Sequence, residues 1–319
     1  MVPNPFAPLV GQTQAVELLT QAVLQNRIAP AYLFAGPSGV GRSLAANCFL
    51  ELLLAKSGAS SQQHRLQQRN HPDLLWIEPT YLHQGKRVSA TEAASLGIKR
   101  KAPPQIRLEQ VREVAQFLSR PPLEALRSVV VLEHAETMAE SAANGLLKTL
   151  EEPGQATLIL IAPAVEALLP TLVSRCQRIP FHRLPADQMA QVLQTIGQGE
   201  ILAHPEVLAI AQGSPGSAIA AYTQLQAMPP ELLQAVTQIP RSLRAALDLA
   251  RQIDKALDSE AQLWLVDYLQ HRYWLASGQQ SSAYGTALQS LEKARQALLN
   301  YAQPRLVWEV TFLTMSGIS

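Results

Sequence analysis

Residues 36–43 read Gly36-Pro37-Ser38-Gly39-Val40-Gly41-Arg42-Ser43, between the apolar run Tyr32-Leu33-Phe34-Ala35 and a helical stretch from Leu44 to Leu54. No other feature constrains the fold as much. Strand, glycine-rich loop and helix start form the setting that the G-x-x-x-x-G-K-[ST] phosphate loop requires. The glycines let backbone N–H groups approach phosphate oxygens, and the helix N-terminus adds partial positive charge. The hydroxyl of Ser43 stands where a magnesium ligand belongs. Arg42 replaces the usual lysine, so the charge is kept but a compact ammonium becomes a planar fork. The loop on its own therefore holds a nucleotide or nothing, and does not by itself make an ATPase.

The rest of the first 180 or so residues repeats the strand-then-helix pattern. Short apolar runs without alternation lie at Ala31–Ala35, Leu74–Ile77, Ser128–Leu132, Thr157–Ile161 and Arg178–Pro180. Such runs suit a parallel sheet covered on both faces. Helical stretches lie between them at Gln12–Gln25, Ser43–Ala55, Leu108–Ser119 and Glu140–Leu150. This predicts an α/β domain over 1–183. Beyond Leu184 the strand-like runs stop. Residues 184–224 read as a small helical lid, broken by Gly197, Pro205 and Gly213-Ser214-Pro215-Gly216, and Met228-Pro229-Pro230 marks a boundary. Residues 225–319 read as an all-helical domain with apolar stripes at Trp264/Tyr268 and Trp308/Phe312/Met315, the pattern of a bundle core.

Composition narrows the function classes. A net charge of +1 argues against a chain whose main task is coating nucleic acid. Two cysteines, Cys48 and Cys176, cannot form a disulfide framework and suit a reducing cytosol. No secretory pattern opens the chain and no apolar run approaches the roughly 20 residues that span a bilayer, so a cytoplasmic protein without membrane contact is expected. Residues 79–104 read as irregular. Their Lys86-Arg87 and Lys99-Arg100-Lys101 form either a solvated loop or a phosphate contact.

A phosphate loop needs a second strand that supplies an acid for magnesium, normally followed by a glutamate that orients water. Val129-Val130-Val131-Leu132-Glu133-His134 is the candidate. Glu133 stands in the place of the usual aspartate, and His134 in the place of the water-activating glutamate. A neutral imidazole cannot offer two acceptor oxygens to water and metal, so weak hydrolysis or none is expected.

Asn144-Gly145-Leu146-Leu147-Lys148-Thr149-Leu150-Glu151-Glu152-Pro153, followed by Ser174-Arg175-Cys176, resembles the clamp-loader branch of AAA+ proteins. Leu9-Val10-Gly11-Gln12, His71-Pro72-Asp73 and Ile106-Arg107-Leu108-Glu109-Gln110-Val111-Arg112 agree with it. The resemblance covers the N-terminal domain well and the C-terminal part by helical layout alone. It implies an AAA+ P-loop domain, a helical lid and a C-terminal helical collar that oligomerises. It also implies that Arg175 is an arginine finger reaching the γ-phosphate bound by a neighbouring subunit. Such a guanidinium is worth roughly 10³–10⁵ in rate in comparable systems.

Four departures from the active members of the family coincide: Arg42, the Glu133-His134 pair, Ala162-Pro163 at the first sensor position and Gly216 at the second. The implied role is a non-hydrolysing stator in a hetero-pentamer of the bacterial DNA polymerase III clamp loader. Its partners would be gamma/tau-like ATP-binding subunits and a clamp-opening delta-like subunit, with sliding clamp and primer–template DNA met through the assembly. Residues 36–43 and Glu133 would form a degenerate site for weakly held ATP or ADP with Mg2+. An ATP-hydrolysing gamma/tau-like motor and a nucleotide-sensing adaptor outside replication are the alternatives. Relatives often carry a four-cysteine zinc module after the P-loop helix. Residues 49–70 lack cysteine, and His64 with His71 cannot complete a tetrahedral site, so no zinc is expected. His71 reads as a structural loop residue. Trp264, Trp274 and Trp308 give the last 95 residues more apolar side chains than a satellite of that size needs, so some of them are expected to face neighbouring subunits.

Overall fold

The computed structural model of the 319-residue chain describes residues 5–54, 65–66, 68–95, 102–152, 154–277 and 283–317. The basic triplet Lys99-Arg100-Lys101, His64 and Pro153 lie outside the described residues. The chain divides into two compact units, 1–188 and 189–319.

In the first unit five strands form one parallel sheet: β1 (Ala31–Ala35), β2 (Leu74–Ile77), β5 (Ser128–Leu132), β6 (Ala156–Ala162) and β7 (Gln177–Pro180), in the order β2-β5-β6-β1-β7. Every residue of β1, β5 and β6 is buried, which is why their sequences run apolar without alternation. Successive side chains of the same strand feed opposite cores. Tyr32, Phe34, Val129, Val131, Ile159 and Ile161 pack on one face, with α1 (Thr13–Leu24) and α2 (Arg42–Leu54). Leu33, Val130, Leu132, Leu158 and Leu160 pack on the other, with α4 (Leu108–Leu118) and α5 (Glu140–Glu151). Burying each such side chain contributes about 1.5–3 kcal/mol. The five expected strands and four expected helices are all present, with ends within one or two residues of the sequence reading.

Residues 79–104 depart from the irregular course expected of them. Tyr81–His83 (β3) and Lys86–Val88 (β4) pair as an antiparallel hairpin, and Ala90–Ser95 forms a short helix, α3. Both turn residues, Gln84 and Gly85, have positive φ (49° and 78°), the geometry that matches strand twist in a two-residue hairpin loop. Gln-Gly is a weaker turn signal than Asn-Gly, and the strands are three residues long and largely exposed, so periodicity could not reveal them. Arg87 is spent on an ion pair with Glu113.

Asp73 ties the edge of the sheet to the loop before β5. Its carboxylate accepts the backbone N–H groups of Leu123 (2.6 Å), Glu124 (2.8 Å) and Ala125 (2.7 Å). Nδ1 of the buried His71 accepts the Asp73 N–H at 3.1 Å, which gives His71 the structural role expected of it. Burial raises the Asp73 pKa, but the three N–H donors outweigh it and hold the carboxyl below its ordinary value.

The second unit is helical among its described residues. Ser259–Ser277, Ala283–Leu299 and Pro304–Ser316 pack together around Leu265, Leu269, Leu291, Trp308 and Phe312. The Trp308 indole N–H donates to Gln262 Oε1 at 2.9 Å, and Trp264 stacks on Tyr268. Both tryptophans are therefore internal, as the core reading of their stripes expected. Trp274, at 64% exposure, is the one of the three on the surface.

Asp73→Ala leaves three backbone donors without their acceptor and is expected to destabilise the protein by about 3 kcal/mol at neutral pH. Because the folded-state pKa is lowered, this contribution is complete above about pH 4 and is lost as acid titrates the carboxylate. Denaturant unfolding at several pH values checks it: Asp73→Asn should flatten the acid limb of the stability curve.

Candidate functional site

The loop 36–43 follows β1 and Glu133 follows β5, so both sit at the carboxyl ends of the parallel strands, where open α/β sheets bind ligands. Close packing dictates the glycines. A Cβ on Gly36 would lie 2.3 Å from the Phe181 carbonyl oxygen, and one on Gly41 would lie 2.7 Å from Leu9 Cδ1. Gly39 has φ 74°, a conformation that glycine adopts without strain. Gln12 clamps the loop from behind. Its buried amide donates to the carbonyls of Val40 (3.2 Å) and His182 (2.7 Å) and accepts the His182 N–H (3.0 Å). The Leu9-Val10-Gly11-Gln12 segment thus holds the loop against the strand end at β7.

The loop opens on a cleft of about 230 Å³ lined by Ser38, Gly39, Gly41, Arg42, Ser43, Leu44, Glu133, His134 and Ile161. Arg42 begins α2 and is 94% buried, and its Nη1 has no hydrogen-bond partner. Burial lowers its pKa while the carboxylates of Glu136 and Glu133 oppose that shift, and a guanidinium stays charged throughout. The Ser43 hydroxyl donates to Glu133 Oε1 at 2.6 Å. Glu133 Oε2 accepts from the Trp76 indole at 2.9 Å and from Arg69 Nη2 at 3.3 Å. The Arg69 guanidinium lies 3.9 Å from the centre of the Trp76 ring and also pairs with Glu78. Arg69 and Trp76 were invisible to motif reading: neither falls in the P-loop or the acid strand, and only the pairing of β2 with β5 brings them to Glu133.

His134 adopts a left-handed conformation (φ 52°) and its Nδ1 lies 3.3 Å from Glu136 Oε1. The hydrogen bond to Glu136 raises its pKa. Burial and Arg42 oppose this, and the charges of Glu136 and Glu133 add to it. Glu136 thus stabilises the imidazolium form relative to an isolated ring. The Ala162 carbonyl at the end of β6 accepts the Gly36 N–H at 3.3 Å, so the first-sensor position contributes only backbone to the loop. Ser214 caps the helix Pro215–Ala227 through the Ser217 N–H, and Gly216 lies within that first turn.

Arg175 is apart from this cleft and does not line it. It follows the short helix α6 (Pro170–Val173) and is exposed. Its Nη1 donates to the Thr171 carbonyl at 3.0 Å, and its Nη2 to Glu151 Oε1 at 2.8 Å. An exposed ion pair of this kind contributes about 1 kcal/mol or less, so the guanidinium can be drawn off Glu151 at little cost. The neighbouring Cys176 thiol is pushed up to about 11 by burial, which leaves it a poor nucleophile. The described residues contain no group of three His, Cys, Asp or Glu arranged to hold a metal, and no helix among them is long and apolar enough to cross a membrane.

Comparison with known proteins agrees with this geometry. The family model described as DNA polymerase III, delta subunit, matches residues 11–185. The model for the C-terminal domain of cyanobacterial DNA polymerase III delta prime matches residues 187–315. DNA polymerase III subunit delta' of Bacillus subtilis is 32% identical over 185 residues, covering 54% of this chain and 48% of that protein. The delta' subunit of Pseudomonas aeruginosa is 34% identical over 197 residues, covering 59% and 54%. The tau subunit of B. subtilis is 25% identical over 213 residues, covering 66% and 34%. The chain spans about half the length of the delta' relatives it matches. Among solved structures, a DNA polymerase III gamma subunit-related protein from Thermotoga maritima has the same fold, with a TM-score of 0.57 at 15% identity over 95% of this chain and 99% of that one.

NMR titration of the His134 ring should give a pKa above the ordinary value of about 6.5. Glu136→Gln should bring it back toward that value. Because the folded-state pKa is raised, the pair's contribution to stability is present below about pH 6.5 and fades as pH rises through the folded-state value.

Proposed function

The chain belongs to the delta/delta-prime family of DNA polymerase III subunits, and on that premise we propose that it is the non-hydrolysing stator of a clamp loader. In this reading it supports ATP-driven loading of a sliding clamp onto primed DNA in the cytoplasm. It does so within a hetero-pentamer that also contains gamma/tau-like motor subunits and a delta-like subunit. One observation carries the reading: the Arg175 guanidinium is exposed and loosely held, while the acid and the base position of the chain's own cleft are occupied by internal partners.

The mechanism follows from where charge is available. In phosphoryl transfer, charge develops on the equatorial oxygens of the γ-phosphate, and a preorganised guanidinium stabilises it. Arg175 can leave Glu151 and Thr171 to reach a phosphate presented by a neighbouring subunit. Glu133, at the position of the magnesium acid, is already engaged by Ser43, Trp76 and Arg69. His134 offers one acceptor nitrogen where a glutamate offers two oxygens, and its Nδ1 lies against Glu136 Oε1. The glycine loop keeps its shape, so the cleft is a place for a weakly held nucleotide, with ADP bound at least as well as ATP. The long apolar helices of 225–319 are the assembly segment in this reading, with Trp274 on their outer surface.

The weaker tau match favours the motor alternative less than the delta' matches favour the stator. Purified alone, the chain should show no appreciable ATP turnover. A rate near 1 s⁻¹, within the usual enzyme range, that is abolished by Ser43→Ala would establish the motor reading instead.

In a reconstituted complex, Arg175→Ala should leave assembly and the melting temperature of the subunit unchanged. ATPase and clamp loading should fall by about tenfold or more, toward the range set by other arginine fingers. Unchanged ATPase in a correctly assembled complex would remove the finger from the mechanism.

A further inference from the structure

Resting on the reading of residues 36–43 as a weak nucleotide cleft, we propose that this cleft takes a nucleoside diphosphate without magnesium, with the buried Arg42 guanidinium supplying the positive charge that a metal supplies elsewhere.

The residues present do not fit the metal. Mg2+ requires near-octahedral oxygen ligands with free lone pairs and gives up its waters reluctantly. At a phosphate loop those ligands would be the hydroxyl of Ser43 and the carboxylate of Glu133. The Ser43 hydroxyl donates to Glu133 Oε1 at 2.6 Å and keeps its own lone pairs, so the fit of a metal turns on the carboxylate. Oε2 of the same carboxylate is engaged by the Trp76 indole and the Arg69 guanidinium, at 2.9 and 3.3 Å. Indole and guanidinium groups are donors only and cannot turn to offer a lone pair. A dication at this place would also stand beside two guanidinium groups, Arg42 and Arg69, in a partly desolvated cleft where like charges repel strongly.

The same residues fit an anion. Nη1 of Arg42 is a charged donor, buried and unsatisfied, in a cleft that it lines. Such a group is costly to leave without an acceptor. The N-terminus of the 13-residue helix α2 adds its partial positive charge at the same place. Glu133 would ordinarily repel phosphate. Its charge is offset by Arg69, and it accepts from Ser43 and Trp76, which lowers that repulsion. The planar fork of Arg42 can meet two phosphate oxygens at once, which an ammonium cannot.

Trp76 is the only tryptophan in residues 1–188 and touches this network, so its fluorescence reports the cleft. The full-length chain is titrated with ADP by calorimetry and by tryptophan fluorescence, once in saturating magnesium and once in EDTA. Affinities that agree within about threefold, less than half the free energy of a tenfold change, support the proposal. Weaker binding in EDTA by a larger factor overturns it, and so does the absence of binding in both buffers. Arg42→Ala should weaken ADP by about tenfold or more in both buffers, the loss expected for a charged hydrogen-bond donor. A melting temperature accompanies each variant. If Arg42→Ala does not fold, Arg42→Lys serves in its place: a magnesium requirement that appears only in Arg42→Lys supports the proposal, and unchanged magnesium independence there overturns the role given to the fork. Failure here leaves the trans role of Arg175 standing, since that role is read from the ATPase of the assembled complex.

Discussion

The Glu133 carboxylate is the point on which the arrangement of the cleft depends. It ends β5, a strand with every side chain buried, so its charge is brought to the edge of an apolar core. Such a charge is tolerated only when its lone pairs are met. Three donors from three separate segments meet them: Ser43 from the start of α2, Trp76 from β2 and Arg69 from the turn before it. Hydrogen bonds to a charged group contribute about 1.5–3 kcal/mol each. The result couples the phosphate loop to the sheet edge through one side chain. The same donors occupy three of the acceptor sites that the carboxylate has to offer.

The same logic separates the two arginines that matter. Arg42 is buried at the head of α2 with carboxylates nearby, it lines the cleft, and its Nη1 is buried without a partner. Arg175 is exposed and its ion pair with Glu151 is screened by water. A guanidinium in the first position is fixed and can serve only what enters the chain's own cleft. One in the second position is free to serve another molecule. The chain thus holds one arginine fixed at its own cleft and another at the surface, in an ion pair that contributes little to stability.

Much of this was legible in the chain. The strands β1, β5 and β6 were readable because complete burial forces unbroken apolar runs, and the phosphate loop because only glycine fits at residues 36, 39 and 41. Arg175 was marked by the Ser-Arg-Cys triplet after a proline-started helix. The hairpin Tyr81–Val88 was not readable: two three-residue strands with exposed side chains leave no periodic signal. The apolar stripes of the last helices were readable as core. Which tryptophan stays outside was not, because Trp264, Trp274 and Trp308 lie on amphipathic helices whose inward faces are fixed by packing against one another.

What the sequence determined by itself was the architecture and which residue types stand at the acid and base positions. Unbroken apolar runs and glycines mark the strands and the loop, and His134 is an imidazole rather than a carboxylate in any fold. What only the tertiary structure decided was how the remaining groups pair. Arg69 and Trp76 lie more than fifty residues from Glu133 along the chain, and no spacing rule connects them. They meet because β2 hydrogen-bonds to β5 in parallel register, Ile77 beside Leu132, which sets the indole and the guanidinium next to the carboxylate that follows. Parallel pairing joins segments separated by a long crossover, so its consequences for side-chain chemistry appear only once the sheet has formed.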